Sequence, residues 1–460
     1  MAERAEDRSG LKRQIGLFTA TALVVGEVVG VGIFLTPAEM TKSVGSPLWV
    51  LIVWLVSGAM ALCGALCFGE LAARRPEAGG QYVYLRDAYG EPVAFLYGWM
   101  ALLVLDPGLT AALAVGGASY VAYVLGLQDA GGGSASGMNF VVTKAVAVVF
   151  VVALALINVR GVKLGGSIVR WLTVTKLALL LFIVLWGFGM RLGDFSHFTP
   201  FVAQREGSLP LAAALAGALV SAFFSFGGWW DLSKLGGEVR EPGRTLPRAY
   251  TYGLLLVVAV YVLTSAAFVY LVPPERVTSG EAFAAQAGEA LFGRTGGLVF
   301  TAVVVIAVVG SLAAFTMSAP RVYFAMARDR LFLPWAASLH PRYATPARAI
   351  CIQAALAVVL VMLGKFGDIL GYFLFPVVLF IGLTVAALFV LRREGGAAGF
   401  RTPLYPLTPV VYLTLTAILL FLLASGRPRY ALTGTLVVAL GLPFYYLVFR
   451  RGSGEKESLR

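Results

Sequence analysis

The chain has 460 residues, of which 59% are hydrophobic and 13% charged, with a net charge of +12. Soluble globules carry about a quarter charged residues, whereas here apolar runs of about 20 residues, enough to cross a bilayer, recur from end to end. A soluble domain is excluded, and the composition is that of an all-α polytopic membrane protein. The basic balance reports lysine and arginine facing the cytoplasm, and no basic stripe interleaved with aromatics points to nucleic acid. Cys63, Cys67 and Cys351 lie in apolar runs without disulfide or metal spacing, and the two histidines, His197 and His340, fall in loops. No cofactor and no metal site is expected.

In chain order, the polar segment 1–14 is a cytoplasmic N-terminal stretch with no cleavage site after it. Apolar runs follow at 15–36, 47–70, 93–125, 140–158, 168–189, 210–237, 247–272, 297–325, 349–363, 369–391, 406–424 and 431–449. They give about twelve transmembrane helices. These divide into a five-helix block over 15–190, a second over 209–393, two trailing helices over 404–449 and a cytoplasmic tail over 450–460. Placing both ends in the cytoplasm puts Arg74, Arg75, Arg160, Arg240, Arg328 and Arg392 on that side, against a sparser set such as Lys42, Arg191 and Arg427 opposite. The Gly-rich run 131–137 reads as an external loop, because no Lys-Ser or Lys-Thr follows it to make a phosphate cradle. Neither Asn139 nor Asn158 begins a glycosylation site, which favours a bacterial plasma membrane.

Two spans carry glycines halfway along. The first reads Gly26-Glu27-Val28-Val29-Gly30-Val31-Gly32-Ile33-Phe34, then Pro37; the sixth reads Phe224-Ser225-Phe226-Gly227-Gly228-Trp229-Trp230-Asp231. Close helix packing explains either cluster alone, since Gly26 and Gly30 form a small-xxx-small pair. Breaks at corresponding places in two halves point instead to a transport site. Unwinding frees N–H groups at the start of one half-helix and carbonyls at the end of the other, which suits a carboxylate and an ammonium on one carbon.

With these breaks, further segments line up in order: Glu70-Leu71, Pro76 to Tyr84, Trp99, Pro107, Asn158 to Gly161, Thr175-Lys176, Gly237 to Pro247, Arg321, Ala327 to Arg330 and Pro334. From about Ile15 to Arg393 the sequence resembles the amino acid, polyamine and organocation transporter superfamily, closest to bacterial relatives of the L-type amino acid transporters. The resemblance implies a LeuT-like fold: a 5+5 inverted repeat with helices one and six unwound, working by alternating access. It places the substrate carboxylate on the N–H groups around Gly30, Val31, Gly32 and Ile33, and the ammonium on the carbonyls of Val28, Phe224, Ser225 and Gly227. Phe224 also matches an outer gate, and Phe226 belongs to the same motif; Trp229 and Trp230 either line the side-chain pocket or simply pack, with Trp229 preferred for the pocket because it belongs to the matched motif. Val31 stands where relatives often have serine.

Charges inside the spans are functional candidates. Lys176 is either a lysine snorkelling to the interface or, as the resemblance implies, the charge that replaces a metal ion between helices one and eight, with Ser311 as its helix-eight partner. In that role it could exchange a proton or serve as a fixed tether. Glu27 could carry a coupling proton, attract a cationic side chain or pair with a neighbouring helix. Asp106 suits a cap for the break at Pro107 better than a substrate contact. Asp231 and Lys234 are three apart and can pair. By resemblance, Glu238 closes an inner gate with basic residues of the first helix; a solvated helix end is the alternative. The segment Arg74 to Tyr89, with Tyr82, Tyr84 and Tyr89 among charges, reads as lying along the inner interface.

These expectations converge on a sodium-independent permease for α-amino acids, neutral ones in particular, acting as proton symporter or amino acid exchanger. A polyamine or cationic amino acid carrier is the alternative. An intramembrane enzyme lacks a nucleophile or metal motif, and a non-transporting sensor is the remaining rival. The implied partners are an amino acid, protons and the lipid bilayer. Mammalian L-type relatives join a glycoprotein through a cysteine after helix three; the loop Gly126 to Asn139 has none, so no disulfide-linked heavy subunit is expected.

Overall fold

The structure is a computed structural model that describes residues 10–449 apart from 31, 126–137, 274–285, 287, 294–295, 365 and 396–398. Val31, the Gly-rich loop and the C-terminal tail thus lie outside the described residues. Those described form helices and connecting turns, with one isolated parallel bridge between Ile15 and Val239.

The first span is broken. Helix α1 (Leu17–Val28) and α2 (Gly32–Val44) meet at a 51° bend. Val29, at ψ 76°, leaves the helical region, and the Gly30 N–H closes a tight turn onto the Val28 carbonyl at 2.8 Å. Inside α2, Pro37 has no N–H to offer the carbonyl one turn back, which loosens the new half-helix near its start. Continuous spans follow in α3 (Pro47–Arg74), α7 (Met138–Val159) and α8 (Val162–Gly189). Between them, the short α4 (Gln81–Tyr89) precedes a third span made of α5 (Glu91–Met100), a π turn (Ala101–Leu105) and α6 (Asp106–Val124).

The sixth span repeats the break in another form. Helix α9 (Leu211–Ser225) stops, Gly228 takes φ +104°, and the chain resumes as a ten-residue 3₁₀ segment, Trp229–Glu238. Runs of 3₁₀ helix beyond three or four residues are uncommon and mark strain or a hinge. The second block continues with α10 (Pro242–Leu271), α11 (Gly296–Ser318) with its extension α12 (Pro320–Arg328), α13 (Ala347–Leu363) and α14 (Phe366–Arg393). The chain closes with α15 (Leu407–Gly426), α16 (Pro428–Ala439) and α17 (Gly441–Val448).

Helices at matching places in the two blocks pack on one another: α3 on α10, α6 on α11 and α7 on α13. This is the arrangement expected of the LeuT-like fold. Among the described residues ten helices are long and apolar enough to cross a membrane, eleven with the bent pair. The expected count of about twelve is missed by α13, which at 17 residues is shorter than the other spans. Apolar side chains such as Phe18, Leu55, Val149, Trp171 and Leu255 are exposed around the bundle, as a lipid-facing surface requires.

The segment expected to lie along the interface is instead packed into the bundle. Gln81 to Leu85 are buried, and their polar groups find partners inside: Tyr97 Oη donates to Gln81 Oε1 at 3.0 Å, and Tyr82 Oη to Asp329 Oδ2 at 2.9 Å. Burial, reinforced by the Asp329 carboxylate, pushes the Tyr82 hydroxyl above its ordinary pKa, so it stays a donor. Burial pulls Arg86 down, but the carboxylates of Asp329 and Asp87 outweigh it and hold the guanidinium above its ordinary value.

Candidate functional site

The two breaks face each other across a cavity of about 260 Å³ in the middle of the bundle. Its wall includes Glu27, Val28, Gly30 and Gly32 from the first span and Phe224, Ser225, Gly227, Gly228, Trp230 and Asp231 from the sixth. Leu105, Leu109 and Leu113 of the third span, Ser311 and Phe315 of α11, and Leu374 and Val377 of α14 complete it.

At the first break the N–H groups of Gly32 and Ile33 have no acceptor among the described residues, as the first turn of a helix requires. They are available to an anion. A side chain at Gly32 would meet the Ser225 Cα at 3.0 Å and its Oγ at 2.9 Å, so glycine is what allows α2 and α9 to touch. Thr36 and Ser225 hydroxyls share a hydrogen bond of 2.7 Å at the same contact. Gly26 and Gly30 face different helices, Thr173 of α8 and Ser311 of α11. The glycines therefore serve both packing and the break.

The carbonyls differ in what already binds them. Tyr261 Oη lies 2.8 Å from the Val28 oxygen and 2.6 Å from the Ser225 oxygen, so one hydroxyl from α10 spans both breaks. The Phe224 carbonyl accepts the Gly227 N–H at 2.8 Å, and the Gly227 carbonyl has no donor among the described residues. Each carbonyl has two lone pairs, leaving room for an ammonium at this end.

Lys176 is fully buried in α8, not snorkelling. Its ammonium donates to the carbonyls of Gly26 at 2.7 Å and Val29 at 2.6 Å, and to Ser311 Oγ at 3.5 Å. Ser311 in turn donates to the Gly26 carbonyl at 2.8 Å. The cation thus ties the loose end of α1 to α11.

Beyond the breaks lies an ion cluster. Lys234 Nζ is 2.9 Å from Asp231 Oδ1 and 3.5 Å from Asp106 Oδ1, and Tyr323 Oη donates to Asp106 Oδ2 at 2.6 Å. Asp106 is therefore an ion-pair member rather than the expected cap, and it lies fully buried just after the π turn. Glu27 lines the cavity next to this cluster; Ser318 Oγ donates to its Oε1 at 2.9 Å, and its Oε2 is buried without a partner among the described residues.

Two expected residues are absent from the cavity wall. Trp229 is buried behind the cavity against Phe68, with ring centroids 5.0 Å apart, and Phe226 packs on Trp54 and Tyr261. Trp230, which no motif singled out over Trp229, takes the wall position. Glu238 is fully buried, not at a solvated helix end, and is paired with Arg321 through Nε at 3.1 Å and Nη2 at 3.0 Å. The start of the first span reaches Glu238 through its backbone, Gln14 and Ile15 N–H groups donating to the Glu238 carbonyl at 2.8 and 2.9 Å. Phe224 is 41% exposed at the cavity's rim.

Residues 15–446 match the amino acid permease family. The chain belongs to that family. The permease is 32% identical to the serine/threonine exchanger SteT of Bacillus subtilis, over 96% of this chain and 98% of that protein. It is 28% identical to the Asc-type amino acid transporter 1 of Mus musculus, over 96% of this chain and 82% of that protein. It is 28% identical to the large neutral amino acids transporter small subunit 2 of Homo sapiens, over 95% and 80%. The permease is a multi-pass integral membrane protein of a family of transporters, not an enzyme.

Proposed function

We propose that this permease is a sodium-independent carrier of neutral α-amino acids, working by alternating access in a bacterial plasma membrane with both termini cytoplasmic. The observation that carries the reading is Lys176, whose ammonium joins the end of α1 to Ser311 of α11 where a coupling metal ion would otherwise make that link. The substrate carboxylate sits on the N–H groups of Gly32 and Ile33, with Val31 between them and Gly30, and the ammonium on the carbonyl side of the breaks. Phe224 closes the cavity rim, and the buried Glu238–Arg321 pair holds the opposite, arginine-rich end.

Of the two transport modes, exchange fits best. The three acceptors around Lys176 match its three donors, which suits a fixed tether, and the relative SteT is a serine/threonine exchanger. No disulfide-linked subunit is required, since Cys63 and Cys67 sit in α3 and Cys351 in α13. A second reading, a cationic amino acid or polyamine carrier, is favoured by one observation: Glu27 and Asp231 both line the cavity.

The test is uptake of labelled amino acids into sealed proteoliposomes, with and without an inward proton gradient and with unlabelled amino acid inside. Uptake that requires internal amino acid is the expected outcome. Stimulation by the gradient in empty vesicles identifies a symporter instead, and strong competition by amines lacking a carboxylate identifies the polyamine carrier.

A further inference from the structure

Resting on that reading, we propose that Glu27 reads the substrate's side chain: its free carboxylate oxygen accepts a hydrogen bond from a donor there, selecting hydroxyl-, amide- or amine-bearing amino acids over aliphatic ones. The groups common to all α-amino acids are provided for at the breaks, by the N–H groups of Gly32 and Ile33 and the carbonyl of Gly227. What remains of the cavity must face the side chain, and its wall is largely apolar, with Leu105, Leu109, Phe315 and Leu374. Against that wall stand two carboxylates. Asp231 is ion-paired with Lys234, its Oδ1 2.9 Å from Nζ though without hydrogen-bond geometry. Among the described residues Glu27 has no ion pair and one hydrogen-bond partner, Ser318 on Oε1, which leaves Oε2 buried and unpartnered there.

The surroundings fix Glu27 in place without satisfying it. A Cβ at Gly228 would approach the Glu27 Cβ to 3.1 Å, so the sixth-span break crosses directly over its stem. The two nearby cations are engaged elsewhere, Lys176 on the carbonyls of Gly26 and Val29, and Lys234 between Asp231 and Asp106. A carboxylate oxygen sealed under an aliphatic side chain loses its solvation without return, whereas a donor restores the hydrogen bond. Sites built this way reject the analogue that lacks the donor.

Threonine and valine are nearly isosteric and differ in the hydroxyl, so their ratio of half-inhibitory concentrations against labelled amino acid exchange reads this contact directly. The unsubstituted protein in proteoliposomes should prefer threonine by about tenfold or more. Glu27→Met, which keeps length and removes both acceptors, should bring the ratio to about one. Glu27→Gln, which keeps one acceptor, should restore part of it. Should a variant not transport, the same ratio is measured as ligand-induced thermal stabilisation of the purified protein. A ratio near one in the unsubstituted protein, or a ratio unchanged in Glu27→Met, overturns the proposal. Loss of gradient-stimulated uptake for both amino acids in Glu27→Gln at constant ratio overturns it in favour of a proton carrier. Failure of the unsubstituted protein to transport or bind any amino acid is a different result, and it removes the carrier reading itself.

Discussion

The two broken helices solve one problem with different chemistry. A backbone leaving its helix inside a bilayer must have its freed carbonyls satisfied. At the first break a lysine from a neighbouring helix does so, Lys176 reaching the oxygens of Gly26 and Val29. At the sixth, the chain turns through Gly228 and runs on as 3₁₀ helix, with the Asp231–Lys234–Asp106 cluster holding the new segment against the third span. The first break is thus tethered from behind by a charge, and the second is shaped by its own backbone and anchored by ions beyond it. Tyr261 serves both, its hydroxyl within hydrogen-bond reach of Val28 and Ser225.

The contrast can be broken at four places. Gly32→Leu has the largest expected effect, because its side chain meets Ser225 backbone at van der Waals overlap; substrate binding should vanish, and normal affinity in a binding assay would remove the α2 N–H groups from the site. Lys234→Met leaves Asp231 and Asp106 without their shared cation and should cost about 3–5 kcal/mol, seen as a lowered unfolding temperature in detergent. An unchanged temperature means the cluster does not anchor the sixth break. Lys176→Ala should leave the protein in the membrane while uptake falls about a hundredfold, the equivalent of losing charge-assisted bonds to two carbonyls. Undiminished flux would sink the tether. Tyr261→Phe removes one hydroxyl while keeping the ring on Trp54 and Phe226, and should cost about 1 kcal/mol in thermal stability. A cost several times larger would show that the two breaks are coupled more tightly than one hydrogen bond implies.

Much of this site was legible because its carriers are local. Glycine clusters in two spans, and a lysine inside a third, are anomalies that a sequence shows directly, and the i,i+3 spacing of Asp231 and Lys234 predicted their pair. What could not be read was long-range or orientational. Asp106 joins that pair across 128 residues, and Tyr261 reaches two carbonyls from a helix with no motif at that point. Trp229 and Trp230 are neighbours, so which one faces the cavity depends on the phase of a 3₁₀ segment that a 3.6-residue period does not predict. For Glu238 the acidic position was visible, but its partner Arg321 lies 83 residues on, in an extension of α11. The burial of Gln81 to Leu85 was missed because its tyrosines and charges mimic an interfacial helix until their partners Asp329 and Tyr97 are in view.

The parallel bridge between Ile15 and Val239 has a mechanical consequence. With the Arg240 N–H donating to the Ile15 carbonyl at 2.9 Å, it fastens the start of the first broken span to the end of the sixth through neutral amide groups. A latch made of peptide dipoles carries no net charge, so neither added salt nor a membrane voltage pulls on it as on an ion pair. Its release requires the two segments to be drawn apart, and because the bonds run between backbone groups of Ile15, Glu238 and Arg240, a side-chain substitution at Val239 removes none of them.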